Sequence, residues 1–277
     1  MIARPFLIEW QTHAPWIEFY QVEQDLVLSK ALVQIFSDPL LKESFAFRGG
    51  TALQKVIFEK PTRYSEDIDL VQIKAEPIGD ALNALKALID PWLGKPKTIL
   101  KDSRVKLIYR FISEIEPVIP MRLKIEINTG EHFNVFPLQK KLFNVENSWF
   151  QGQAEITVYK IEELLRTKLR ALFQRKKGRD LYDMSMALQH IKNLDYLKVI
   201  ECFQRYMGHQ GVSVSRAEFE ANMYEKLNDA TFVNDIFPLL AADAPSYDSK
   251  AEGVVVGEKF ISLLWGNPWK GIVKKDK

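Results

Sequence analysis

Asp67 and Asp69 are the residues whose type and spacing best suit them to chemistry. They lie at i and i+2 of D-I-D-L-V, and on an extended strand side chains two apart share one face, here the face opposite Ile68 and Leu70. Two carboxylates about 7 Å apart along such a strand can bind one or two magnesium ions between them. That is the arrangement a nucleotidyl transfer needs to activate an attacking oxygen and neutralise leaving pyrophosphate. A D-x-D is also what a solvated strand edge looks like, so the neighbouring residues decide. Upstream, Phe45-Ala46-Phe47 reads as a short buried strand. Gly49 and Gly50 then allow a tight turn that opens a helix at about Thr51 and aims backbone N–H groups at a phosphate. Pro61 is expected to end that helix, with Arg63, Ser65, Asp67 and Asp69 following at alternate positions of a second strand.

A third carboxylate is available downstream. Met121 to Asn128 alternates, with Leu123, Ile125 and Ile127 on one face and Arg122, Lys124, Glu126 and Asn128 on the other. If this strand lies beside the Asp67–Asp69 strand, Glu126 completes a three-carboxylate metal site; otherwise it is a strand residue paired with Lys124 or Asn128. Lys168 stands out for a different reason. It falls inside the apolar stripe of a helix from about Lys160 to Arg175, four residues after Leu164 and four before Leu172. An inward lysine either reaches across a cleft to a triphosphate, or snorkels or pairs with a buried acid. Seven basic residues in fourteen, from Arg166 to Arg179, form either a solvated face or a contact for RNA phosphates. Asp180 reads as the N-cap of the next helix with Asp183 three residues on, while also lying on the side of Met184 and Ala187 that faces Lys168.

The order of these motifs, Gly49-Gly50-Thr51-Ala52-Leu53, then Arg63-Tyr64-Ser65-Glu66-Asp67-Ile68-Asp69, then Glu163-x4-Lys168 and Lys177-Gly178-Arg179-Asp180-x-Tyr182-Asp183, resembles the AbiEii-type toxin nucleotidyltransferases of abortive-infection and toxin–antitoxin systems. The resemblance covers roughly residues 40 to 190. It implies magnesium-dependent transfer of a nucleoside monophosphate from a nucleoside triphosphate to an acceptor hydroxyl, with Asp67, Asp69 and Glu126 on the metal. Gly49, Gly50, Thr51, Arg63 and Ser65 would contact the triphosphate. Lys168 would bind the nucleotide, with Asp180 or Asp183 as its acidic partner or the base that prepares the acceptor. It further implies tRNA, modified at its 3′ end, as acceptor, a cognate antitoxin as protein partner, and growth inhibition as the outcome.

The elements that must position these groups follow from periodicity. A helix from about Ala14 to Phe36 supplies packing. Another opened by Pro77 runs to about Pro91, and alternating Val105 to Ile112 makes a further strand. After a strand-rich segment ending near Val158 the pattern turns helical, around Leu194 to Met207, Arg216 to Leu227 and Lys250 to Trp265, with a basic tail from Lys270 to Lys277. The expected fold class is therefore α+β: residues 1–155 as a nucleotidyltransferase-like mixed sheet flanked by helices, residues 156–277 as a helical bundle, and the active site in the cleft between them. The chain has 277 residues, 47% hydrophobic, and its net charge of +2 does not by itself announce nucleic acid. Single Cys202 excludes an internal disulfide framework, and His13, His132, His190 and His209 lack metal-ligand spacing. Glu9 interrupts any apolar leader and no uncharged run is long enough to span a bilayer, so a cytoplasmic location without membrane contact is expected.

Three other readings compete. Arg179-Asp180-Leu181 echoes a kinase catalytic loop but lacks the Asn expected four residues later, and neither G-x-G-x-x-G nor D-F-G occurs. Nucleotidyl transfer to a protein or small molecule would use the same site. A non-catalytic nucleotide-binding regulator would have little need of three carboxylates.

Overall fold

The computed structural model describes residues 2–271, and the part of the basic tail from 272 to 277 lies outside them. The chain divides into two compact units, one of residues 1–160 with 239–244, the other of residues 161–238 with 245–277.

The first unit is built on a seven-stranded mixed sheet in the order β3-β4-β5-β2-β1-β7-β6. Its strands are β1 (Phe45–Arg48), β2 (Asp67–Gln72), β3 (Lys97–Lys101), β4 (Arg104–Ile112), β5 (Pro120–Asn128), β6 (Gln139–Asn147) and β7 (Phe150–Val158). The central pairing is parallel, β2 against β5, with Asp67 opposite Lys124 and Asp69 opposite Glu126. Antiparallel β1 lies on its other side, Arg48 opposite Asp69. β4 alternates as its sequence predicts: Val105, Leu107, Tyr109 and Phe111 are buried, as are Leu123, Ile125 and Ile127 of β5.

Helices α1 (Arg4–Trp10), α2 (Phe19–Ser37) and α3 (Pro39–Ser44) precede the sheet. The helix expected from about Ala14 starts only at Phe19, because Ile17 lies in the preceding connection and is 59% exposed while Glu18 caps α2 by a reciprocal bond with Gln21; α1, before it, is an additional helix. Asp38 accepts from the backbone N–H groups of Leu40 and Leu41 at 2.9 Å, and Pro39 at the first helical position needs no donor, so α3 starts sharply. The helix after β1 starts at Gly49, as α4 (Gly49–Ala52), and passes directly into a π-helical turn, Leu53–Ile57. It ends at extended Phe58, before Pro61 is reached. Helix α5 (Gly79–Leu93) carries Pro91 inside it, stops at Gly94 with φ +74°, and takes a hydrogen bond from the Tyr109 hydroxyl of β4 to Asp90 at 3.0 Å.

The second unit is helical: α6 (Ile161–Gln174), α7 (Gly178–His190), α8 (Tyr196–His209), α9 (Arg216–Leu227), α10 (Ala230–Asn234) and α11 (Ser249–Lys259). Asp195, Ser215, Asp229 and Asp248 cap α8 to α11 through their side chains. α11 ends at Lys259, short of Trp265, with one 3-10 turn after it. Lys226 of α9 donates to the terminal carbonyls of α6, Leu172 and Phe173, and burial pushes its ammonium down to about 8. Cys202 is a buried core thiol, pushed up to about 12 by burial. Among the described residues no helix is long and apolar enough to cross a membrane.

Candidate active site

Alternation on β2 and β5 and their parallel register place Asp67, Asp69, Lys124 and Glu126 on one face of the sheet. Lys124 Nζ lies 2.6 Å from Asp67 Oδ2 and 2.8 Å from Glu126 Oε1, and Lys106 of β4 reaches the same Glu126 oxygen at 3.1 Å. Burial raises the Glu126 carboxyl, but the hydrogen bonds and charges of Lys124 and Lys106 outweigh it and hold the group below the usual carboxylate range. For Lys124, burial alone would push the ammonium down; its bonds to Asp67 and Glu126 leave it raised. All these charges are half-buried, so the pairs are neither free surface nor deep core.

Gly49 fixes the other end of the row. Its φ is +82°, and a Cβ built on it would stand 2.2 Å from Asp69 Oδ2. The Asp69 carboxylate therefore lies against the glycine turn at the start of α4, at a distance that leaves no room for a side chain. Behind it, the Thr51 hydroxyl bonds the Ser65 hydroxyl at 2.7 Å and donates to the Asp67 carbonyl at 2.5 Å. Thr51 is 1% exposed, so its observed work is to tie the helix start to the strand that bears the aspartates.

Arg63 and Ser65 are not strand residues, since β2 begins only at Asp67. Arg63 is buried and donates to the Tyr64 carbonyl at 2.8 Å, while Gln54 Oε1 accepts from the backbone N–H groups of Thr62 and Arg63 at 2.7 and 3.3 Å. Gln54 was not singled out in the sequence, although it is the buried polar group that shapes the loop into β2. Nor was Lys124 read as a centre of the row; its place two residues before Glu126 on the same face was the available signal.

In the helical unit, Lys168 is buried with Asp180 and Asp183, its Nζ 3.3 Å from Asp180 Oδ1 and 2.7 Å from Asp183 Oδ2. This is pairing with buried acids, one of the two readings the sequence left open. Asp180 is not the N-cap of α7, which is Lys177; its carboxylate instead receives Arg175 in a bidentate pair at 2.6 and 2.8 Å. The basic run is likewise largely neutralised inside its own unit. Arg166 is buried against the Tyr206 ring, Lys176 pairs with Asp229, and Lys177 and Arg179 pair with Asp235. A free basic strip for RNA phosphates is therefore not what this segment forms.

Magnesium is the metal that the sequence resemblance implies. Asp67, Asp69 and Glu126 are hard oxygen donors of the type it takes, and Asp67 and Glu126 already share one positive charge, that of Lys124. In donor chemistry the residues fit, although among the described residues no three acids or imidazoles converge as a ready-made ion cage.

The sequence model of the nucleotidyl transferase AbiEii toxin family, type IV toxin–antitoxin system, matches residues 30–253. Among solved structures, MenT4, a nucleotidyltransferase toxin from Mycobacterium tuberculosis H37Rv, aligns with TM-score 0.61 and 15% identity over 95% of this chain and 91% of its own. A chain from H. pylori described as a nucleotidyltransferase aligns with TM-score 0.55 and 18% identity, over 89% of this chain and 95% of that one. At such identities these likenesses bear on the fold, which is a nucleotidyltransferase-like mixed sheet with flanking helices. No curated protein is significantly similar.

Proposed function

Since the chain belongs to the AbiEii family of toxin nucleotidyltransferases, we propose that it transfers a nucleoside monophosphate from a nucleoside triphosphate to the 3′-terminal hydroxyl of tRNA, arresting growth until a cognate antitoxin neutralises it. The observation that carries the proposal is the row of Asp67, Asp69 and Glu126 on one face of adjacent parallel strands, with Asp69 lying against the Gly49 turn.

In this reading Asp67, Asp69 and Glu126 would hold magnesium, which when bound supplies Lewis-acid stabilisation of charge on the transferring phosphoryl group. The chain's own residues supply the rest. The backbone N–H groups of Gly49 and Gly50 offer donors to triphosphate oxygens beside the carboxylates, and the Ser65 hydroxyl, whose proton goes to Thr51, braces that turn. Glu126, held below the usual carboxylate range by Lys124 and Lys106, orients the acceptor hydroxyl together with Asp67 and Asp69, and the row takes its hydrogen bond. Thr51 and Arg63, both buried, serve by positioning β2 and the loop before it. A direct part for Lys168 in holding nucleotide, or for Asp180 or Asp183 as base, would require their buried ion cluster to open, so the proposal assigns the chemistry to β2 and β5.

The test is incubation of the purified protein with magnesium, total bacterial tRNA and each ribonucleoside triphosphate labelled at the α-phosphate. Wild type is expected to label RNA, and Asp67→Asn and Asp69→Asn to lose about 10²-fold or more. Label on protein or on a small molecule alone would reassign the acceptor, and unimpaired transfer by both variants would refute the site.

A further inference from the structure

Resting on that reading, we propose that the open face of β3, β4 and β5 is the surface on which the RNA acceptor strand lies, leading to the carboxylate row. Pairing puts Lys97, Ile99 and Lys101 of β3 on the same face as Arg104, Lys106, Ile108, Arg110 and Ile112 of β4, and as Arg122, Lys124 and Glu126 of β5. The opposite face of β4 and β5 carries the buried residues of the core, so this one is the solvent face. Lys106 and Lys124 are engaged by Glu126 and Asp67. Lys97, Lys101, Arg104, Arg110 and Arg122 are exposed and make no ion pair among the described residues.

Two features point to an anionic ligand rather than a merely soluble surface. Arg110 stands directly opposite Arg122, and Lys101 directly opposite Arg104, and like charges facing each other across an antiparallel pair are destabilising until an anion lies between them. At the end of the sheet where β4 leaves and β5 enters, Arg110 and Arg122 also border an open groove of about 530 Å³ that lies over the rim, on the side of the core-facing Phe111 and Met121, with Tyr20, Tyr64 and Glu66 on its walls. With tyrosines and a methionine on its walls and one carboxylate, it suits a base better than a phosphate. Cations along a strand face beside a base-sized apolar groove are what a single-stranded nucleic acid recognises. RNA is favoured over an acidic protein because Asp67, which pairs through Lys124 with the same face, is where an acceptor hydroxyl has to arrive.

The experiment measures anisotropy of a short fluorescein-labelled single-stranded RNA, without nucleotide, across a series of potassium chloride concentrations. The protein is wild type or the triple variant Arg104→Ala/Arg110→Ala/Arg122→Ala. Each phosphate contact on a single strand contributes about 0.7 to the salt slope, so three removed contacts lower the slope by about 2 and the affinity at about 0.1 M salt by ~100-fold. The corresponding triple Arg→Lys variant is expected to keep most of the binding. If the triple alanine variant melts early, single Arg104→Gln and Arg122→Gln variants, each expected to take about 0.7 off the slope, carry the reading. Unchanged slope and affinity overturn the surface, as does lost association with an acidic protein partner while RNA binding persists. Label transfer is followed in parallel. Wild type that binds RNA through these arginines but transfers nothing to it leaves the surface standing and sinks the proposed activity.

Discussion

Lys168→Ala is expected to unfold the helical unit more readily before it says anything about catalysis. Lys168 Nζ sits between Asp180 and Asp183, both without solvent exposure, and the lysine side chain itself is 5% exposed. Truncating one partner of a buried ion cluster leaves charge stranded in low dielectric, which costs about 3–5 kcal/mol. Asp180 keeps its bidentate Arg175, so the lower end, about 3 kcal/mol, is the appropriate expectation. Urea unfolding followed by far-UV circular dichroism reads this as a lower midpoint with the slope unchanged. The pair Lys168→Met with Asp183→Asn, which removes both charges at similar volume, is expected to recover most of it. Two results would refute the reasoning: a shift under about 1 kcal/mol for Lys168→Ala, or a double variant no better than the single. A stable Lys168→Ala protein whose only defect is in nucleotide transfer would return this lysine to the active site.

Gly49→Ala forces a Cβ into the Asp69 carboxylate at an unfavourable φ, so a cost of about 1–3 kcal/mol and a displaced Asp69 are expected, read as a lower melting temperature together with weakened transfer. The Glu126 carboxyl is held below its ordinary value, so its contribution to stability is full above that value and lost as pH falls through the depressed one. Lys124→Ala, removing one of the two ammonium groups responsible, should move acid unfolding to higher pH, and an unmoved acid midpoint would count against the pairing. Glu23 behaves in the opposite sense: burial raises its carboxyl to about 7, so the folded state binds the extra proton and stability falls as pH rises from about 4.5 through 7. Glu23→Gln should abolish that fall, worth up to about 3 kcal/mol, in melts recorded on both sides of neutrality.

β4, β5 and the first four residues of β2 were legible because they alternate, with one apolar half buried. Ile68 and Leu70, Leu123 and Ile125, Val105 and Leu107 all point into the core, and that fixes which way Asp67, Asp69 and Glu126 must face. The glycine turn was legible because Gly49 adopts a backbone angle that side chains disfavour. What was not legible depends on partners distant in the chain. The basic run read as a strip of positive charge because its neutralising acids, Asp229 and Asp235, lie more than fifty residues on. Asp180 looked like a cap, but Lys168, placed by packing of α6 on α7, and Arg175, folded back by the turn between those helices, claim its oxygens. β3 was missed because K-T-I-L-K is exposed on both faces except at Ile99, so no half of it is patterned for burial. The π-helical turn after α4 pulls the chain out of the helix at Phe58, before the proline that seemed to mark its end.

The two outer strands of the sheet, β3 and β6, have a consequence for how the protein keeps company with its own copies. An open sheet ends in rims of unpaired backbone donors and acceptors, each an invitation to strand addition from another molecule. Both rims carry a conspicuous apolar residue, Leu100 on β3 and Leu142 on β6, each 69% exposed. Both are also guarded: Lys97 and Lys101 bracket the first, and Lys140 and Lys141 precede the second. A second chain approaching edge-on meets matching ammonium groups before it can form a ladder, so the lysines act as gatekeepers against polymerisation. Neutralising either group by acetylation or substitution would turn a closed margin into a template for growth.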